Sequence, residues 1–67
     1  MAIAVVGCGD WGRNIARTLK NLGNLRVLSD HLSSSKAQSC SQELDLPLLP
    51  FESILKDPLV QGIVIAT

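Results

Sequence analysis

Gly7-Cys8-Gly9-Asp10-Trp11-Gly12, with Asp30 further along, are the residues whose types and spacing carry chemistry in this 67-residue chain. The chemistry they fit is the holding of a dinucleotide. Gly7 permits a tight turn where a Cβ would be penalised. Gly9 lets the backbone approach a pyrophosphate, and Gly12 lets a following helix lie close on the preceding strand. The start of that helix offers unpaired N–H groups and a partial positive charge to phosphates. Asp30, 18 residues after Gly12, is spaced to accept hydrogen bonds from the adenosine ribose hydroxyls. The competing reading is a glycine turn that merely joins a strand to a helix, with Asp30 an ordinary surface acid. Context decides between the two: the strand before, the helix after and the spaced acid all agree with nucleotide binding.

Those residues need elements to position them. Ala2 to Val6 is a short apolar run, as expected of a parallel strand buried on both faces. In the helix that follows, Trp11, Ile15, Leu19 and Leu22 fall on one stripe, with Arg13, Asn14, Arg17, Lys20 and Asn21 on the other side. Ala16, one turn beyond Gly12, extends the close contact with the strand. Gly23 suits a left-handed stop. Leu25 to Ser29 is a second strand ending at Asp30. Ser33, Ser34 and Ser35 are N-cap candidates, and Ser35 with Gln38 fits a capping box. Ala37, Cys40 and Leu44 then keep helical spacing. Pro47 restricts Leu46 to Leu49 to a short edge strand. Pro50 suits the start of another short helix with Phe51, Ile54 and Leu55 on its buried face, and Asp57-Pro58 stops it. Ile63 to Thr67 is a last, buried strand.

Strands alternating with helices over short connections specify right-handed β-α-β units and an α/β, Rossmann-type parallel sheet, β-α-β-α-β-α-β, truncated, in the order 3-2-1-4. Ligands of such sheets bind beyond the carboxyl ends of the strands, at the switch between strands 1 and 4. Gly7, Asp30 and Thr67 all fall at carboxyl ends.

Composition bounds the rest. A chain this short buries only about 60% of its unfolded surface, so its core is marginal. Apolar content of 46% suits a globular piece. Six basic and six acidic residues balance to zero, with no basic run to suggest nucleic acid and no stretch near the length of a membrane span. The N-terminus lacks the pattern of a signal peptide. Cys8 and Cys40 form no C-x-x-C pair, so neither a disulfide framework nor a metal site is expected, and the default setting is cytoplasmic.

Val-Val-Gly-Cys-Gly-Asp-Trp-Gly-Arg-Asn, Asp30 and the ending Asp-Pro-Leu-Val-Gln-Gly-Ile-Val-Ile-Ala-Thr resemble the start of a Gfo/Idh/MocA-type oxidoreductase. These are the glucose–fructose oxidoreductase and inositol dehydrogenase relatives. The resemblance covers essentially the whole chain, and the Trp-Gly-Arg-Asn continuation is similar to members that oxidise nucleotide-linked amino sugars. It implies that Gly7, Gly9 and Gly12 form the phosphate turn, that Cys8, Asp10 and Trp11 line it, and that Asp30 holds the adenosine ribose of NAD. Ala66 and Thr67 would begin the loop passing the cofactor's other half. Family members carry their catalytic lysine, in a Glu-Lys-Pro motif, further along, and their substrate domain later still. Residues 1–67 are therefore expected to be the N-terminal part of an NAD-binding domain of a sugar or nucleotide-sugar dehydrogenase. The alternative is a stand-alone nucleotide-binding or regulatory module.

No internal substitute for the catalytic group is visible. Lys20, Lys36 and Lys56 read as solvated helix residues, and His31 reads as a loop histidine ahead of a contact to adenine or ribose. Trp11, first in the apolar stripe, reads as packing ahead of a pocket wall. Cys8 has no histidine partner to make it a nucleophile. A methyltransferase reading fails because the acid usual before the first glycine is Val6 here. The absence of an arginine after Asp30 favours NAD over NADP. The strand from Ile63, apolar and free of proline or charge, is expected to leave an open edge through which the chain self-associates.

Overall fold

The computed structural model describes residues 1–66. Four parallel strands and three helices alternate along the chain: β1 (Ile3–Val6), α1 (Asp10–Asn21), β2 (Leu25–Ser29), α2 (Ser35–Leu44), β3 (Leu48–Leu49), α3 (Phe51–Lys56) and β4 (Gly62–Ile65). The sheet order is β3-β2-β1-β4. This is the α/β architecture expected from the alternation of patterns, with the crossover from β3 to β4 carrying the chain over β2 and β1.

The period-two alternation of strands sorts the core into two faces. Val5 and Leu28 turn to the side of α1 and α2, where they pack with Cys8, Ala16, Ala37, Cys40 and Leu44. Ala4 and Val27 turn to the other side and meet Ile54 of α3. β1 and β2 run in register from Ala4–Val27 to Val6–Ser29, after an irregularity between Ile3 and Ala4 that leaves Arg26 out of the pairing. Arg26 donates to the Asp57 carboxylate at 2.8 Å, which ties β2 to the end of α3. That hydrogen bond holds the Asp57 carboxyl below its usual range, with a further contribution from the Leu59 N–H.

α1 ends as its sequence predicts. Gly23 adopts φ 76, and the Gly23 and Asn24 N–H groups donate to the carbonyls of Lys20 and Leu19, a Schellman closure. Its apolar stripe is shorter than the periodicity implies. Ile15 and Leu19 pack against the core and Gly12 and Ala16 are buried, but Trp11 is 77% exposed and Leu22 66%. The reason is length. A helix of 12 residues spans about 18 Å, whereas four-residue β1 spans only about 13 Å. The two ends of the stripe overhang the sheet, so Trp11 is not a packing residue.

Three other expectations shift. Ser34, not Ser35, caps α2, accepting from the Ala37 N–H, and Gln38 donates to the Leu32 carbonyl instead of closing a capping box. On α3 only Ile54 is buried; Phe51 and Leu55 are exposed, because six residues present less than two full turns to the sheet. β4 is not buried on both faces. Val64 packs on the α1 side, while Ile63 and Ile65 are exposed.

Candidate functional site

The three glycines of the turn meet different constraints. Gly7 sits at φ 103, a backbone conformation that side chains strongly disfavour. Gly12 is dictated by proximity: a Cβ there would lie 1.8 Å from the Gly7 carbonyl oxygen, so α1 stands directly on the end of β1. Gly9 is different. Its φ of −70 suits any residue, and a Cβ built on it would meet no atom within 4 Å. Among the described residues nothing requires glycine at this position.

Gly9 is also the N-cap of α1, and no side chain caps that helix. Serine, aspartate or asparagine would serve better as a cap than glycine does. The N–H groups of the first turn, from Asp10 through Gly12, therefore have no side-chain acceptor, and they point where an anion is favoured. Donors presented at a helix start, beside a residue without a side chain, form an arrangement that can receive an anionic group.

Asp30 follows β2 and is half-buried beside the turn. Its Oδ2 accepts the Cys8 N–H at 2.8 Å and its Oδ1 the His31 N–H at 2.7 Å. At the other flank, the Ala66 N–H donates to the Val6 carbonyl at 2.8 Å, and Ala66 Cβ would lie 3.6 Å from a Cβ on Gly12. The fold thus gathers Gly7, Cys8, Gly9, Gly12, Asp30 and Ala66 at the carboxyl end of the sheet. Asp10 and Trp11 occupy the exposed first turn of α1. Thr67 lies outside the described residues.

Cys8 occupies the turn with its side chain turned inward. It is 2% exposed, in the same cluster as Cys40. It therefore lines the turn through its backbone alone, and that N–H is taken by Asp30. Burial, with smaller contributions from Cys40 and Asp30, pushes its thiol up to about 12. Thiolate is the nucleophile, so Cys8 is chemically silent at neutral pH. Its folded pKa lies above its unfolded one, near 9. The stability it contributes is fully present below pH 9 and is lost as pH rises toward about 12. We expect Cys8 to resist alkylation at pH 8 in the folded chain and to react at the rate of global unfolding. Rapid modification without denaturant would contradict this burial.

A hollow of about 410 Å³ opens beside the turn, at the carboxyl ends of β1, β2 and β3. Gly7, Asp30 and His31 line it together with Leu32, Pro50 and Phe51. Its size falls within the range of small-ligand sites. Leu32, Pro50 and Phe51 are not among the site residues that the sequence suggests; Pro50 and Phe51 read there as the start of a helix and its buried face. The signal was present in the predicted strand order: β3 beside β2 places Pro50 and Phe51 next to the loop after Asp30. Phe51, 42% exposed, gives the hollow an aromatic wall. His31 is likewise exposed on this rim.

Other charges serve to tie elements together. Arg17 makes a two-pronged contact with Glu43, at 2.6 and 2.9 Å, joining α1 to α2. Among the described residues no group of three potential ligands could hold a metal ion, and no helix is long and apolar enough to cross a membrane. No protein-family model, curated protein or solved structure matches the chain.

Proposed function

We propose that the turn between β1 and α1 binds the pyrophosphate of NAD, with Asp30 and the adjoining hollow taking the adenosine half. The observation that carries this reading is Gly9. Gly7 and Gly12 are explained by the fold, but Gly9 has an ordinary φ, open space around its missing Cβ and a capping role that serine would fill better. A glycine that the protein itself does not need is accounted for by a ligand that approaches its backbone.

The resemblance to Gfo/Idh/MocA-type oxidoreductases extends the proposal to the whole protein: an NAD-dependent sugar or nucleotide-sugar dehydrogenase, of which residues 1–67 form the nucleotide-holding start. NAD when bound accepts a hydride from the sugar carbon. The chain's own residues supply positioning. The α1 N–H groups hold the phosphates, Asp30 accepts the ribose hydroxyls, and Leu32, Pro50 and Phe51 exclude water from one side of the base. No acid–base role is assigned within residues 1–66, where Lys20, Lys36 and Lys56 are exposed on helices. A Glu-Lys-Pro motif encoded in frame beyond Thr67 would distinguish the dehydrogenase from a non-catalytic module.

The direct test is calorimetric titration of the chain with NAD and NADP, repeated on Gly9→Ser. NAD should bind more tightly, because the Asp30 carboxylate accepts from a 2′-hydroxyl but repels a 2′-phosphate, and no arginine follows it among His31, Leu32 and Ser33 to Ser35. Gly9→Ser should keep or raise the urea midpoint, since serine caps α1. It should nevertheless weaken NAD about ten-fold or more, by filling the cleared surface and taking a donor from the phosphates. Equal binding of NADP would remove Asp30 from the ribose site. Undiminished NAD binding by Gly9→Ser would remove the phosphates from the turn.

A further inference from the structure

Asp30 is bonded in a way that a ribose contact alone does not require. Its two oxygens take two different backbone amides, Cys8 at 2.8 Å and His31 at 2.7 Å. The first of these bonds crosses from the loop after β2 to the turn after β1, a separation of 22 residues. Immediately before it, the Gly7 N–H donates to the Ser29 carbonyl at 2.8 Å. Two successive amides of the turn are thus held by two successive residues at the end of β2. Among the described residues, no other side chain bonds to the backbone of residues 7–12.

The bond from the Cys8 amide is part-buried, and an N–H shielded from water without a partner is costly. The carboxylate is therefore the group that makes this turn conformation tolerable. A carboxylate also has about four acceptor positions over its two oxygens. With one on each oxygen given to an amide, one on each remains, and both are held in a fixed orientation. That pair matches two vicinal hydroxyls.

We infer that Asp30 is the positioning residue of the phosphate turn: it fixes the turn through the Cys8 N–H, and the Cys8 and His31 amides in return hold its carboxylate ready for a vicinal diol. This inference rests on the nucleotide-binding reading above and adds a coupling to it. Phosphate and ribose are recognised by one mechanical unit, so damage to Asp30 weakens phosphate binding even where no ribose hydroxyl is present.

Two measurements on the full chain test this, on the unmodified protein, Asp30→Ala and Asp30→Asn. The first is amide exchange without nucleotide, read at Cys8 against the core amide of Leu28. Asp30→Ala should speed Cys8 exchange about ten-fold or more relative to Leu28, as expected for loss of a hydrogen bond to a charged group. Asp30→Asn, whose neutral oxygen makes a weaker bond, should give a smaller rise at the same amide; it carries the comparison if Asp30→Ala exchanges rapidly throughout. The second is binding of ADP and of 2′,3′-dideoxy-ADP, which lacks both hydroxyls. Asp30→Ala should weaken both, the dideoxy compound several-fold. An Asp30 that only contacts ribose would leave the dideoxy compound unchanged, or tighten it by removing a negative charge. That result, or Cys8 exchange that moves no more than Leu28 in either variant, overturns the inference. Failure of the unmodified chain to bind ADP would instead overturn the nucleotide reading, and the exchange measurement would still decide the positioning role.

Discussion

Gly12→Ala should cost the chain most of its stability. The added Cβ would lie 1.8 Å from the Gly7 oxygen and 2.7 Å from its carbonyl carbon. Both belong to backbone, so no rotamer change relieves the contact. Separation to an ordinary distance requires α1 to lift from β1. That movement would uncover Ala16 and Cys8, which are 0% and 2% exposed, and would open the face of the core that α1 shares with α2. Overpacking typically costs about 1–3 kcal/mol where side chains can yield, and more where they cannot. A domain of this size has about 5 kcal/mol or somewhat more to lose. Urea unfolding followed by circular dichroism should show Gly12→Ala largely unfolded without denaturant, beside a Gly9→Ser that unfolds at or above the midpoint of the unmodified chain. A Gly12→Ala variant within about 1 kcal/mol of the parent would mean that α1 does not stand this close to the turn.

The second large effect concerns β4. It is the outer strand of the described sheet, with β1 as its neighbour. Its sequence, Gly62-Ile63-Val64-Ile65, has neither the charge nor the proline that blunts an edge. Ile63 and Ile65, on one face of the strand, are exposed together with Leu55 and Leu59. Covering about 200 Å² of such surface is worth about 5 kcal/mol at roughly 25 cal/mol per Å². That alone meets only the lower end of the entropic cost of association. Pairing of strand edges supplies directional bonds in addition, and a net charge of zero offers little repulsion. The 67-residue chain should therefore self-associate, and Ile65→Lys should return it to a monomer by placing a charge on the edge. Sedimentation equilibrium of the two chains checks this. A parent that remains monomeric as concentration rises, with strongly protected amides at Val64 and Ile65, would contradict it.

The sequence by itself determined the elements, their order and the glycine turn. The strands are short apolar runs, α2 keeps Ala37, Cys40 and Leu44 buried as their spacing requires, and Gly7 and Gly23 take the positive φ values that their places imply. These are local matters, settled by residues within a few positions of each other, and short crossovers then leave few topologies open. Tertiary structure decided what periodicity could not see. Trp11 and Leu22 share the helical phase of Ile15 and Leu19 yet face water, because α1 outreaches the strands beneath it. Cys8 stands inside the motif yet turns into the core, because Ala16, Ala37 and Cys40 leave small surfaces there for it to fill. Phe51 and Pro50 reach Asp30 and Leu32 only through strand order. The hydrogen bond from Cys8 to Asp30 spans 22 residues, beyond the reach of any local pattern. Spacing placed an acid at the end of β2; only the packed sheet aimed one of its oxygens at the turn.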